Sequence, residues 1–241
     1  MLIDHPVFFA GDVADLLPLM HDFERLMVGG LVGKVRTVLK GMFSLDHRFR
    51  LLRAAGAKRP DNPLEIQYWS TTPYKLGAGA MKFSFRPELH ELPTLPLKSA
   101  DKLRRAMAAH LRQREARFDF LVQLQTNPQS MPIEDATQRW DEQDSPFLKV
   151  ATLRIPPQTF ESAAQLEFGE KLSFSPWHCI AEHRPLGGIN RARKLLYEVM
   201  SDRRLKLNAT LPREPSLAEV HAVFVANGSE LGASRREAHQ M

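Results

Sequence analysis

Cysteine is nearly absent from this sequence, since Cys179 is the only one in 241 residues. A single thiol excludes an internal disulfide and a metal site built from several cysteines, and it fits a reducing compartment. No uninterrupted apolar run is long enough to cross a bilayer, and residues 1–6 lack the basic and apolar regions of a signal peptide. The sequence also lacks a phosphate-binding glycine loop and a Ser/His/Asp nucleophile motif. These absences predict a cytoplasmic protein without a membrane span.

No long, unbroken run of charges of one sign occurs in the chain. Lys and Arg number 33 and Asp and Glu number 28, which gives a net charge of +5. No long basic run carries this surplus, so we predict no nucleic-acid partner. The length suits one large domain or two small ones, with enough apolar content to form a core.

Apolar periodicity and turn residues outline the secondary structure. Strands are predicted at Leu2–Phe9, Leu64–Trp69, Ala80–Phe85, Phe118–Gln125 and Phe147–Ile155. Helices are predicted at Asp12–Met27, Val32–Ala55, Ser99–Glu115, Ser162–Lys171, Ile189–Leu207 and Leu217–Val225. Because the helices are inserted between strands without regular alternation, the pattern favours an α+β fold with a mainly antiparallel sheet.

The most specific spacing lies in the helix predicted at Ile189–Leu207. Tyr197 follows Arg193 by four residues and precedes Arg204 by seven. On a helix these positions lie about 400° and 1100° from Arg193, so the three side chains project from nearly one face. Positive charge near a phenol favours its ionised form, and a phenolate can serve as the axial ligand of a haem iron. The spacing is also compatible with an ordinary tyrosine packed on the core beside solvated arginines.

Other polar groups have plainer interpretations. His178 and His183 flank Cys179, but a Cys/His metal site needs more ligands at suitable spacing, so we interpret them as structural. Adjacent Glu134 and Asp135 point to opposite faces of an extended chain, which argues against an acid–base pair. Arg191 and Arg203 are interpreted as solvated charges, as surface arginines usually are.

Several segments, in this order along the chain, together resemble the catalase superfamily. They are His5–Phe9, Asn62–Ser70 with Thr72–Gly77, Phe118–Gln125, Glu134–Trp140, Ser173–His178 and Glu182–Tyr197. The resemblance is nearest to the smaller, catalase-like branch of haem proteins and covers roughly residues 2–208. It implies an α+β fold with an incomplete, mainly antiparallel β-barrel and inserted and C-terminal helices. It also divides the chain into a catalase-like domain at 1–208 and a tail at 209–241, which we expect to form a short helix before a disordered end.

Haem is the cofactor that this resemblance implies. Tyr197 would be the proximal iron ligand, and Arg193 would be its hydrogen-bonding cation; these two are the implied catalytic residues. Arg204 would bind a haem propionate, and Phe9, with Phe8, matches aromatic residues near the distal face of the haem. The implied substrates are hydrogen peroxide or an organic hydroperoxide, and a homo-oligomer is compatible with the resemblance.

The chain departs from the family pattern at its N-terminal end. Family members carry, before the His5–Phe9 stretch, a segment that holds the distal histidine and further propionate-binding arginines. We expect that segment to be missing here, with Asp4 near the place of a family asparagine and His5 as the nearest imidazole. Two functions therefore stay open: a tyrosine-ligated haem oxidoreductase, and a non-catalytic remnant or binding module of the same fold.

Overall fold

The computed structural model describes residues 3–18, 21, 60–88, 100–211 and 213–225. Three predicted segments lie outside these residues: the helix predicted at Val32–Ala55, half of the helix predicted at Asp12–Met27, and the end of the tail beyond residue 225. The start of the Asp12 helix is described. Residues 13–18 are helical, and Asp12 Oδ1 accepts the backbone N–H of Asp15 at 2.9 Å, as expected for a capping aspartate.

A five-stranded antiparallel sheet forms the centre of the described part. Its strands are β1 (Tyr68–Trp69), β2 (Tyr74–Leu76), β3 (Gly79–Pro87), β4 (Ala116–Leu124) and β5 (Leu148–Ile155). The order is β1-β3-β4-β5, and β2 pairs with the same edge of β3 as β1. Within the described residues the sheet is open rather than closed into a barrel. The predicted α+β class with a mainly antiparallel sheet is confirmed.

Four helices follow the predicted pattern closely. They are α1 (Lys102–Leu111), α2 (Ala163–Lys171), α3 (Gly188–Leu207) and α4 (Leu217–Val225). The sequence signal for α2 is a capping box, in which Ser162 accepts from the N–H of Gln165 and the Gln165 side chain accepts from the N–H of Ser162. None of the helices in the described residues is long and apolar enough to span a membrane.

Short strands and turns account for the differences from the sequence prediction. The strand predicted at Leu64–Trp69 is wrong over its first four residues, because Asn62 caps a 3₁₀ turn at Pro63–Glu65 through a 3.0 Å bond from the N–H of Leu64, and strand β1 begins only at Tyr68. Residues 74–76, which lie outside every strand predicted from the sequence, form β2, and β2 reaches β3 through a turn with Gly77 at φ 57°. The strand predicted at Leu2–Phe9 is also wrong, since its described residues form only an isolated antiparallel bridge between Ile3 and Trp69.

Side-chain alternation gives the sheet two different faces. Met81, Phe83 and Phe85 of β3 lie on one face, where Phe120 stacks on Phe85 at a ring-centroid distance of 4.9 Å. The opposite face carries a different set, Ala80, Lys82, Ser84 and Gln123. Met131 and the fully buried Trp140 pack on Ala80 and cover that second face. The aromatic face of β3 and β4 is the one that turns toward α3.

Candidate functional site

An open cleft lies between the aromatic face of the sheet and α3. Its volume is about 640 Å³, within the range of about 300–1,000 Å³ that is usual for ligand sites. It is called the Tyr197 cleft below, and its lining residues are Tyr74, Leu76, Met81, Phe83, Phe120, Val122, Val150, Phe174, Ser175, Pro176, His178, Cys179, His183 and Tyr197. Aromatic and aliphatic side chains from β2, β3, β4 and β5 thus face one helix and one loop.

The beginning of α3 determines where Tyr197 lies. Gly187 precedes the helix with φ 86°, and a Cβ there would stand 2.5 Å from the carbonyl oxygen of Ile133, so glycine is required. The carboxylate of Glu134 accepts the N–H of Gly188 at 2.8 Å and pairs with both terminal nitrogens of Arg191 at 3.0 and 3.1 Å. Arg191 is exposed, as expected for a solvated charge, and these bonds show that it is also ion-paired with Glu134.

Arg193 lies one turn before Tyr197, and its guanidinium packs over the phenol ring. The distance from Cζ to the ring centroid is 5.5 Å, which is within cation–π range. Only 6% of Arg193 is exposed. Its Nη1 donates to Asn190 Oδ1 at 2.8 Å, with Thr72 Oγ1 at 3.5 Å. The observed contact between Arg193 and Tyr197 is therefore with the ring face.

The guanidinium of Arg193 is only partly satisfied. Its Nε and Nη2 atoms are buried and have no hydrogen-bond partner among the described residues. Its hydrogen-bond acceptors are neutral oxygens, and no carboxylate of the described residues pairs with it. A buried cation without an anion is costly in free energy, so this group is suited to an anionic partner beside Tyr197.

The other predicted site residues lie apart from the lining of the cleft. Arg204 is half-buried and donates through Nη2 to the carbonyl oxygen of Leu172, directly after α2. Phe9 stacks on Phe8 at 4.0 Å and packs against the cluster that includes Ile189, the second residue of α3. Of the predicted residues, the structure brings together Arg193 and Tyr197, while Arg204 and Phe9 contact the elements that support α3.

One loop contributes most of the polar groups of the cleft. His178, Cys179 and His183 all line it, and Cys179 is exposed. Among the described residues, no group of three or more His, Cys, Asp or Glu side chains is arranged to hold a metal ion.

The sequence prediction missed the residues that organise the cleft. Asn190 and Thr72, which bond to each other and to Arg193, were not singled out, because a buried amide and a hydroxyl 118 residues apart leave no local pattern. The sheet side of the cleft could be predicted in part from the sequence. The alternation of Met81, Phe83 and Phe85 predicts an apolar face, although it does not identify what that face contacts.

Solved structures with the same arrangement of strands and helices identify the fold. A fungal catalase solved at 1.9 Å matches with a TM-score of 0.60 at 15% identity, over 85% of this chain and 44% of that one. The chain has a catalase-like fold. A bacterial catalase has a TM-score of 0.57 at 15% identity, over 88% of this chain and 46% of that one. Catalase A from Saccharomyces cerevisiae has a TM-score of 0.58 at 13% identity, over 93% of this chain and 52% of that one.

The catalase-like fold predicted from the sequence segments is thus confirmed at the level of structure. The chain spans about half the length of the catalases that it matches. No protein-family model matches the sequence, and no curated protein sequence matches it. At this low identity the similarity extends to the catalase-like fold alone.

Proposed function

We propose that the chain binds haem in the Tyr197 cleft, with the phenolate of Tyr197 as the axial ligand of the iron. We further propose that it disproportionates hydrogen peroxide to water and oxygen, or that it reduces hydrogen peroxide or an organic hydroperoxide with two electrons from an organic reducing substrate. The observation that carries the proposal is the buried, partly unpaired guanidinium of Arg193 against the ring of Tyr197. The catalase-like fold supports it, because catalases are the proteins in which tyrosine holds the haem iron.

The residues of the cleft fit this cofactor. A porphyrin needs a broad apolar wall, and Phe83, Phe120 and Val122 of the sheet supply one opposite α3. A tyrosinate that ligates iron in a low-dielectric site needs a compensating cation, and Arg193 has two buried nitrogens free for its oxygen. When bound, haem would supply the redox chemistry that cleaves an O–O bond.

The chain's own residues would orient and balance the cofactor. Arg193 would hold the phenol ring of Tyr197 in place and neutralise the charge on its oxygen. Arg204 uses one Nη2 bond to the Leu172 carbonyl, and the rest of its five-donor fork would reach a haem propionate. The resemblance implies that Phe9 lies near the haem, but it packs against the start of α3 outside the lining of the cleft, so we assign it the support of that helix.

Haemin titration of the purified protein tests the ligand assignment. We expect a Soret band that saturates at one haemin per chain in the wild type and is lost or strongly shifted in Tyr197→Phe. Tyr68→Phe is the matched control, since its phenol donates to the carbonyl of Pro63 outside the cleft. An unchanged Soret band in Tyr197→Phe would rule out the phenolate as axial ligand.

Peroxide consumption tests the activity. The haemin-loaded wild type should consume hydrogen peroxide or cumene hydroperoxide faster than free haemin does, and Tyr197→Phe should lose that excess. Comparison of the two substrates, with oxygen release followed for hydrogen peroxide, assigns the substrate class.

A second function, haem binding without turnover, is favoured by the openness of the Tyr197 cleft. Val150 and Phe174 on its rim are 58% and 73% exposed, so the cleft does not exclude water as catalytic haem sites do. Stable haemin binding with a peroxide rate equal to that of free haemin would favour this binding module over the enzyme.

A further inference from the structure

The amide of Asn190 lies at the centre of a buried polar network between α3 and the sheet. The residue is 0% exposed. Its Oδ1 accepts from Thr72 Oγ1 at 3.1 Å and from Arg193 Nη1 at 2.8 Å. Its Nδ2 donates to the carbonyl oxygens of Pro73 at 3.0 Å and Leu186 at 2.7 Å.

These four bonds use the full capacity of the side chain. An amide has two acceptor positions on its oxygen and two N–H donors, and all four are satisfied here. A flipped amide would direct N–H groups at the guanidinium of Arg193 and its oxygen at two carbonyls, which is unfavourable at three of the four contacts; only the hydroxyl of Thr72 could accept from it. The amide orientation is therefore determined, and its oxygen faces Arg193.

The backbone just before Thr72 has a strained conformation, next to this polar network. Thr71 has φ 58°, a rare conformation for a β-branched residue, and Thr72 N–H donates to Ser70 O at 2.6 Å, which forms a γ-turn. Strain of this kind persists only where surrounding contacts impose it. A further contact comes from Trp177, in the loop at residues 174–183 that lines the cleft. Its Nε1–H donates to the backbone carbonyl oxygen of Asn190 at 2.9 Å. Sheet, loop and α3 thus meet at Asn190.

We propose that Asn190, supported by Thr72, is a positioning residue that holds Arg193 for the proposed haem site, an inference that rests on the proposed function. Asn190 occupies Nη1, and Nε and Nη2, which have no partner among the described residues, are the donors that we assign to the oxygen of Tyr197 once haem is bound. Because it acts through Arg193, Asn190 affects the axial ligand without contacting it.

A double-mutant cycle on haemin affinity distinguishes positioning from general support of the fold. Asn190→Ala should weaken haemin binding about ten-fold or more in the wild-type background, since it removes a hydrogen bond to a charged group. In the Arg193→Met background the same change should have no further effect. Equal weakening in both backgrounds would overturn the inference. Asn208→Ala, at the exposed end of α3, is the matched control.

Two further measurements keep the test decisive. If Asn190→Ala does not fold, Thr72→Val keeps the side-chain shape and should give a smaller loss of affinity that also disappears with Arg193→Met. Without haemin, NMR of the arginine Nη–H groups should show that Nη1–H of Arg193 is protected from exchange in the wild type and loses protection in Asn190→Ala; retained protection would overturn the inference. A wild type that fails to bind haemin would refute the proposed function, while the NMR result still decides whether Asn190 holds Arg193.

Discussion

Two buried cations of the described residues, Lys82 and Arg193, differ in how well their charged groups are hydrogen-bonded, and this difference separates a structural residue from a candidate binding residue. Lys82 is 4% exposed, donates to the carbonyl of Gln138 at 2.9 Å and lies 5.1 Å from the ring centroid of Trp140. Its contacts hold the segment that covers the second face of the sheet. Arg193, on the cleft side, keeps two unpartnered nitrogens. The satisfied cation supports packing, and the unsatisfied one is the candidate for binding.

Lys82 predicts a dependence of stability on alkaline pH. Burial lowers the pKa of Lys82 from its usual 10.5 to about 8, and nearby Asp135 opposes that decrease. Between these values the unfolded chain binds more protons than the folded one, so the contribution of Lys82 to stability rises with pH. Lys82→Met should remove this rise, which amounts to at most about 3 kcal/mol. Urea unfolding over this pH range measures it.

The control for Lys82→Met is Lys206→Met, at an exposed position of α3. The difference in unfolding free energy between wild type and Lys206→Met should stay constant with pH. A constant difference for Lys82→Met as well would show that the ammonium group is not desolvated in the folded protein.

Glu134 predicts a smaller dependence at acidic pH. The hydrogen bonds from Arg191 lower the pKa of Glu134 below its usual 4.5, with a further contribution from the N–H of Gly188. Because the folded-state pKa of Glu134 is lowered, the pair contributes stability that is fully present above pH 4.5. This stability is lost as the pH falls from 4.5 through the folded-state pKa. Because the pair is exposed, Glu134→Gln should cost no more than about 1 kcal/mol at neutral pH. Thermal melts at neutral and acidic pH should show a cost only at neutral pH, and Glu182→Gln should show none at either.

At the scale of elements, contacts at the start of α3 fix this helix, and so Tyr197, relative to the segment at residues 131–140 that covers the second face of the sheet. The helix has no side-chain N-cap of its own, and Glu134 from the segment before Trp140 bonds to its first N–H. Ile133 packs with Met131 and Trp140 on the second face of the sheet. A change at Gly187, between these groups, therefore displaces the helix that carries Arg193 and Tyr197.

Two glycines with positive φ form a matched pair for testing this. Gly187 and Gly77 have φ 86° and 57°, but a Cβ would meet the Ile133 backbone only at Gly187, and nothing lies within 4 Å at Gly77. Gly187→Ala should lower the unfolding free energy by clearly more than about 1 kcal/mol and weaken haemin binding. Gly77→Ala should cost about 1 kcal/mol and leave haemin affinity unchanged. Equal losses of stability and affinity would mean that backbone strain alone matters.

At the scale of the whole molecule, the sheet remains open on its aromatic side. Within the described residues β5 pairs only with β4, and its Leu148, Val150 and Leu153 side chains are exposed. This face continues into the Tyr197 cleft through Val150. An apolar ligand that fills the cleft would remove part of this surface from water, and so stabilise the fold.

Haemin should therefore raise the melting temperature in a ligand-dependent way. Haemin at a hundredfold excess over its Kd adds about 2.7 kcal/mol to the folded state, which corresponds to about 5–10 °C for a chain of this size. Tyr197→Phe should lose most of this shift. Differential scanning fluorimetry with haemin-compatible detection measures these shifts. Equal shifts in both proteins would indicate non-specific adsorption of haemin.

The sequence by itself determined the elements whose signals are local. The bounds of α2 and α3 were predicted nearly to the residue, and the structure shows that local contacts, such as the capping box at Ser162, support such elements. The ordered family-like segments also predicted the catalase-like fold, which the solved catalases confirm. Haem, its ligand and the boundary at residue 208 stay predictions.

Only the tertiary structure decided which side chains meet. β2 forms because Tyr74 has Met81 to pair with, and a three-residue strand has too little periodicity to be detected alone. Asn190 bonds Thr72 across 118 residues, and that long-range contact leaves Arg193 with two free nitrogens beside Tyr197. The helical spacing put an arginine and a tyrosine on one face, but burial and hydrogen-bond partners, which depend on chain segments far away in sequence, made them a candidate site.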